Sequence, residues 1–251
     1  MRVLGYKLLD YYSPTEEKEM HSFIRFLHEA PHKSHAQLFQ DKFVEFTLNG
    51  KRDGFFVEFG ATDGVTLNNT LYLETHLGWT GILAEPARCW REKMTASGRR
   101  CRKDFRCVWS KSGEHLVFNE VSDSPQYSTI NHFSDSGGHA RVRKTKNCYD
   151  VATVSLNDLL VEHAAPRHID YLSIDTEGSE FDILNAFDFD RWNVSIITVE
   201  HNDAPIRKDI YRLLASKGYQ RKFQWLSRWD DWYVRTQAAP RASTDHRNAD
   251  G

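Results

Sequence analysis

The stretch Phe55-Phe56-Val57-Glu58-Phe59-Gly60-Ala61-Thr62-Asp63-Gly64 constrains the fold of this chain more than any other. A nearly continuous apolar run is what a strand buried on both faces requires, and such strands belong to parallel sheets covered by helices. The loop beyond the carboxyl end of such a strand is where open α/β sheets hold ligands. Gly60 and Gly64 let the backbone turn tightly there without a Cβ in the way. A helix over roughly 67–77 is expected next, with its first amides aimed at the ligand. A second run, Gly81-Ile82-Leu83-Ala84-Glu85, also closes on an acid. That acid falls about 20 residues after the turn, the interval of a carboxylate that accepts hydrogen bonds from two ribose hydroxyls.

Which adenosine compound fits is decided by glycines that are absent. A dinucleotide loop needs Gly-x-Gly-x-x-Gly so that the backbone can close on a pyrophosphate, and here the second glycine position is Thr62. No Gly-Lys-Ser/Thr follows Gly64, so a P-loop is excluded as well. Glu58 and Asp63 place negative charge in the loop, which repels a pyrophosphate but pairs with a sulfonium and an ammonium. S-adenosylmethionine is therefore the cofactor expected, held by Glu58, Gly60, Ala61, Thr62, Asp63, Gly64 and Glu85.

The chain has 251 residues and a formal charge of -2, so no global basic field recommends nucleic acid or an anionic membrane as partner. Arg141, Arg143, Lys144 and Lys146 form a local basic patch that reads as a solvated loop. Cys89, Cys101, Cys107 and Cys148 lack C-x-x-C pairing, which suits free thiols in a reducing compartment. The N-terminus lacks the apolar core of a signal peptide, and no run reaches the ~20 apolar residues needed to span a bilayer. A cytoplasmic protein is expected.

Residues 1–50 read as an N-terminal helical accessory segment, residues 51–237 as the main domain, and residues 238–251 as a disordered tail. A helix is expected from about residue 86 to Gly98, and a third strand around Phe105 to Trp109. The segment 121–150 is polar, with little periodicity, and is expected to be a long loop serving as a substrate lid. Ser155 starts a helix, Ile169 to Ile174 is the fourth strand, and Val194 to Val199 the fifth. Asp203 is expected to cap a helix that Gly218 ends, and a closing antiparallel hairpin spans Tyr219 to Phe223 and Trp232 to Arg235.

Asp175-Thr176-Glu177-Gly178-Ser179-Glu180 follows the fourth strand and Glu200-His201-Asn202 the fifth. If these strands neighbour the first, both groups meet the Gly60 loop at one sheet edge. Helix capping accounts for one acid in a first turn but not for so many. Two mechanisms fit. Glu177, Glu200 or His201 takes a proton from an acceptor hydroxyl, or Asp175, Glu200 and Asn202 hold Mg²⁺, which lowers the pKa of that hydroxyl. Asp175, Glu177, Glu200 and His201 are the catalytic candidates, with a divalent metal left open.

Together, Phe56 to Gly64, Trp79 to Pro86, Leu172 to Glu180 and Val199 to Asn202 resemble the FkbM-type methyltransferases, over roughly residues 35–235. The resemblance implies an α/β, Rossmann-like methyltransferase fold, a mostly parallel seven-stranded sheet with helices on both faces. It also implies S-adenosylmethionine-dependent O-methylation of a small molecule or glycan. A non-catalytic nucleotide-binding module on the same fold is the alternative. The formal charge disfavours a nucleic-acid methyltransferase.

Overall fold

The computed structural model describes residues 13–135, 140–144 and 146–236. The stretch proposed as a disordered tail lies outside them. The frame is a seven-stranded sheet. Its central strands are β1 (Phe55–Phe59), β2 (Thr80–Ala84) and β3 (Arg102–Asp104), with β8 (His168–Ile174) and β9 (Asn193–Glu200) on the other side of β1. These five run parallel. The closing hairpin is β10 (Tyr219–Lys222) and β11 (Asp230–Arg235), and β11 inserts antiparallel between β9 and β10. The sheet is mixed through that one reversed strand, in the order β10-β11-β9-β8-β1-β2-β3.

Alternation along the strands feeds two helical layers. Val57, Phe59, Ile82, Leu172, Ile174, Ile197 and Val199 face one core with α5 (Leu156–Glu162), α6 (Glu180–Asn185) and α7 (Arg207–Ser216). Phe56, Leu83, Tyr171 and Ile196 face the other, with α1 (Pro14–Glu29), α2 (Gln40–Thr47), α3 (Leu71–Leu77) and α4 (Arg88–Ala96). A capping box starts α1: the Glu16 amide donates to Ser13 Oγ, and the Ser13 amide donates to Glu16 Oε2 at 2.8 Å. Its Phe23 stacks on Phe223 at 5.2 Å and meets the edge of Trp232, so the N-terminal helices cover the sheet rather than stand apart from it.

Three expectations need correction. The third strand is Arg102–Asp104, not Phe105 to Trp109. An edge strand needs little apolar content, and the apolar Cys107–Trp109 instead forms β4 of a second sheet. That sheet takes in part of the segment 121–150 expected to be a loop: β6 (Thr129–Ile130) and the first half of β7 (Lys146–Ser155) come from it, and with β5 (His115–Val121) they join β4 in the order β4-β7-β5-β6. The first half of β7 buries little side chain, so only its pairing from His115↔Ala152 to Val121↔Lys146 reveals it. Finally, α7 begins at Arg207 with Ile206 before it, and Asp203, largely exposed at φ +55°, caps nothing.

Candidate active site

The carboxyl ends of β2, β1, β8 and β9 open into one cavity of about 850 Å³, and Glu58, Glu85, Asp175, Glu177 and Glu200 all line it. The second sheet supplies the facing wall through Phe118, Gln126, Tyr127, Ser128 and Ile130. The acidic strand tips therefore share a rim, because parallel neighbours end on the same side.

After β1 the chain turns at Gly60, with φ +69°. A Cβ there would lie 1.7 Å from the Asp175 carbonyl oxygen, so only glycine lets β1 and β8 end side by side. The Gly60 amide donates to the Ala84 carbonyl at 3.1 Å and the Thr62 amide to Glu85 Oε2 at 3.0 Å, which ties the loop to β2. The other Glu85 oxygen accepts from the Ala87 amide at 2.8 Å. Burial pushes the Glu85 carboxyl up to about 7, against the downward pull of those two amides.

The helix after the loop starts at Leu71, not Leu67, and its amides do not open the site. Carboxylates take the amides that would have begun it. Asp63 Oδ1 accepts from Val65 and Thr66, and Glu58 Oε1 accepts from Asn69 at 2.9 Å. Burial would raise Asp63, yet the Thr66 and Val65 amides hold it below the usual carboxylate range. Glu58 Oε2 also accepts from Thr70 Oγ1 at 2.5 Å, and burial raises its carboxyl. Arg99, buried and unannounced by any motif, locks this corner from beneath. It pairs with Glu74 at 2.8 Å and donates to the Gly64 carbonyl, Asn68 Oδ1 and Thr70 Oγ1. Glu58 thus faces the cavity while shaping the loop.

At the other end, Asp175, Glu177 and Glu200 bring one oxygen each to within 4.8 Å of one another. The Asp175 and Glu200 carboxyls are hydrogen-bonded together. Burial first, then the like charge of its neighbours, raises each of them well above the ordinary range, so the two titrate as a pair. Glu177, at φ +60°, pairs with Arg143 at 2.6 Å. The neighbouring acid Glu180 folds the turn by accepting from the Thr176 and Gly178 amides at 2.9 and 3.0 Å. The three acids thus offer a set of ligands for a divalent cation as well as a proton acceptor, with Glu177 already paired to an arginine. Asn202 lines the cavity and reaches Glu177 at 3.5 Å.

His201 is placed differently. Its Nδ1 accepts from the Asp203 amide at 3.0 Å, its Nε2 points toward Asp231 at 3.7 Å, and the ring is not among the cavity-lining residues. Strand alternation explains this, since Glu200 and its successor leave β9 on opposite sides. Two groups were missed in the sequence. Asp230, opposite Glu200 in the β9–β11 register, accepts from Gln40 Nε2 at 2.6 Å and is pushed by burial to about 7. Its one signal is the Asp-Asp pair that opens a strand with an apolar centre, Trp232 to Val234. Arg143, placed above in a solvated patch, is buried.

The sequence profile of the FkbM methyltransferase domain matches residues 58–221, well over half of the chain. No curated protein matches at a significant level. Among solved structures, a TehB-like SAM-dependent methyltransferase from Corynebacterium glutamicum is similar at 8% identity and a TM-score of 0.41, covering 90% of this chain and 100% of that one. A precorrin-6y C5,15-methyltransferase from Geobacter metallireducens is similar at 10% identity and a TM-score of 0.38, over 72% and 71%. A fibrillarin/Nop5p complex aligns at 11% identity and 0.37, over 83% and 92%. At this level these likenesses say nothing about function. The profile match is decisive: the chain belongs to the FkbM family of S-adenosylmethionine-dependent methyltransferases.

Proposed function

We propose that the protein moves a methyl group from S-adenosylmethionine to a hydroxyl of a small molecule or sugar, with the Asp175–Glu200 pair as general base. The observation that carries this reading is the closeness of Asp175 and Glu200, with oxygens within 4.8 Å of each other, on the same cavity as Glu85 and the Gly60 turn. The residues fit the cofactor. Each Glu85 oxygen takes one backbone N–H and keeps a lone pair for a ribose hydroxyl. The loop carries acids rather than phosphate-binding cations, and the cavity is within the ~300–1,000 Å³ of small-molecule sites.

When bound, the cofactor supplies a methyl on a positively charged sulfur. An alcohol gives up its proton reluctantly, so a base must take it as the new bond forms. The Asp175–Glu200 pair, on the cavity wall, is placed to take that proton. Burial that raises the pair's proton affinity makes it a stronger base than an exposed acid. His201, behind the cavity wall, is given no part in the transfer. Along the described residues no helix is long and apolar enough to cross a membrane, which suits an acceptor met in water.

Incubation with methyl-labelled S-adenosylmethionine and a panel of polyols, sugars, amines and carboxylic acids tests the reading. Label is expected in a methyl ether. Glu200→Gln is expected to keep the cofactor Kd within about twofold while kcat falls on the order of 10²-fold or more. Label on nitrogen, or equal loss of binding and turnover in Glu200→Gln, refutes it.

A further inference from the structure

Each backbone N–H in the turn that carries Glu85 has an acceptor, and two of those acceptors come from the second sheet. The Glu85 amide donates to the Asp104 carbonyl of β3 at 3.0 Å, Pro86 has no N–H, and the Ala87 amide donates to Glu85 Oε1 at 2.8 Å. Helix α4 begins at Arg88 with Ala87 at its N-cap, and an alanine has no side-chain oxygen to offer the first amides. The Arg88 amide donates instead to the Tyr149 hydroxyl at 2.9 Å, and the Cys89 amide to Glu120 Oε2 at 3.2 Å. The Tyr149 hydroxyl in turn donates to that same Glu120 oxygen at 2.5 Å. Arg88 lays its guanidinium over the Tyr149 ring at 3.9 Å, while its Nη2 reaches the Asp150 carbonyl at 3.3 Å. The cap that the local sequence lacks is thus supplied by residues 61 and 31 positions away.

The placement of this cap bears on the cavity. Glu120 and Tyr149 stand on the paired strands β5 and β7. Phe118, two residues before Glu120 on the same face of β5, lines the cavity and meets the Tyr149 ring at 5.9 Å. Ala87 is buried in the cluster that contains Phe118 and Ile130. One sheet therefore forms the wall facing the acidic rim and also fixes the first turn of α4. The Ala87 amide orients one Glu85 oxygen, so the seat of Ala87 decides where that oxygen points. A carboxylate that meets two ribose hydroxyls at once tolerates little rotation, because hydrogen bonds weaken steeply off line.

We propose that Tyr149 and Glu120, supplied by the second sheet, are positioning residues for the cofactor: they cap α4 from outside and so hold the Ala87 amide that aims the Glu85 carboxylate. The proposal rests on Glu85 as the ribose acceptor, and not on the identity of the base or of the methyl acceptor. Without the cap, the turn 85–88 is fully ordered only when the cofactor binds, and that ordering lowers the affinity.

Wild type, Tyr149→Phe, Glu120→Gln, Glu120→Ala, Glu85→Ala and the Tyr149→Phe/Glu85→Ala double variant are compared. The readouts are the Kd of S-adenosylhomocysteine by calorimetry at pH 8, where Glu85 at about 7 is ionised, and amide hydrogen exchange over residues 85–92 of the unliganded protein. Tyr149→Phe keeps its ring under Arg88 and is expected to weaken the Kd about fivefold, the scale of a lost helix cap, and to speed exchange in that segment. Glu120→Ala does the same, whereas Glu120→Gln keeps an oxygen for the Cys89 amide and stays within about twofold of wild type. In the Glu85→Ala background no carboxylate is left to aim, so adding Tyr149→Phe costs less than about twofold in Kd while exchange still rises. Equal losses in both backgrounds, an unchanged Kd or unchanged exchange in Tyr149→Phe, or a Glu120→Gln as weak as Glu120→Ala overturns the proposal. Should Tyr149→Phe fail to fold, the Glu120→Gln and Glu120→Ala pair decides it by the same two readouts. If Glu85→Ala binds as tightly as wild type while the cap variants still speed exchange, the fault lies in the ribose reading, and the proposal falls with it.

Discussion

Glu85 makes cofactor affinity depend on pH in a way that can be worked out beforehand. Its carboxyl is buried against Glu120 and the end of β2 and sits at about 7 rather than its ordinary 4.5. A group that accepts from two ribose hydroxyls must be ionised, so binding favours the deprotonated form and releases a proton below pH 7. The apparent Kd then scales as 1 + 10^(7 − pH). Affinity changes little above pH 8, halves near pH 7, and falls about tenfold by pH 6, or about 1.4 kcal/mol. Calorimetry with S-adenosylhomocysteine at pH 6, 7 and 8, in buffers of different ionisation heat, measures both affinity and proton release. Glu85→Gln sets the background, because the ligand's own amino group titrates equally against both proteins. The variant is expected to bind more weakly at pH 8 and to lose the slope. Wild type and Glu85→Gln running parallel would refute the ribose role. The stability of the unliganded protein has the opposite sense. An acid raised on folding contributes most below pH 4.5 and loses that contribution as pH climbs through 7, so Glu85→Gln is expected to melt higher than wild type at pH 8 and not at pH 4.

The structure also predicts the effect of three further perturbations. Gly60→Ala forces a Cβ against the Asp175 carbonyl at a positive φ and is expected to cost more than about 2 kcal/mol by denaturant unfolding and to abolish cofactor binding. Arg99→Met strands the Glu74 carboxylate in the core, with an expected loss of about 3–5 kcal/mol in the same assay. With the Asp175–Glu200 pair as the base, treatment with EDTA is expected to leave methyl transfer unchanged; activity lost to EDTA and restored by Mg²⁺ would replace the base with a metal.

The parallel sheet, its two covering layers and the shared rim of acids were legible in the amino-acid order, because burial on both faces demands apolar runs whose polar ends fall on one side. Gly60 and Glu85 were legible for the same reason: a backbone approach without a Cβ and a strand-end acid are local requirements. The second sheet was not, since β7 earns its place through main-chain pairing with β5 rather than through side-chain periodicity. Nor could local pattern say which acids are tied down. Glu58 is held by Thr70, twelve residues away, and Glu177 by Arg143, thirty-four residues away. His201 turns from the cavity toward Asp231 through a strand pairing distant in the chain. Spacing along one strand determines where an acid emerges. Whether it then meets a partner, a neighbouring acid or open cavity depends on chains that arrive from elsewhere, and that only the tertiary structure decided.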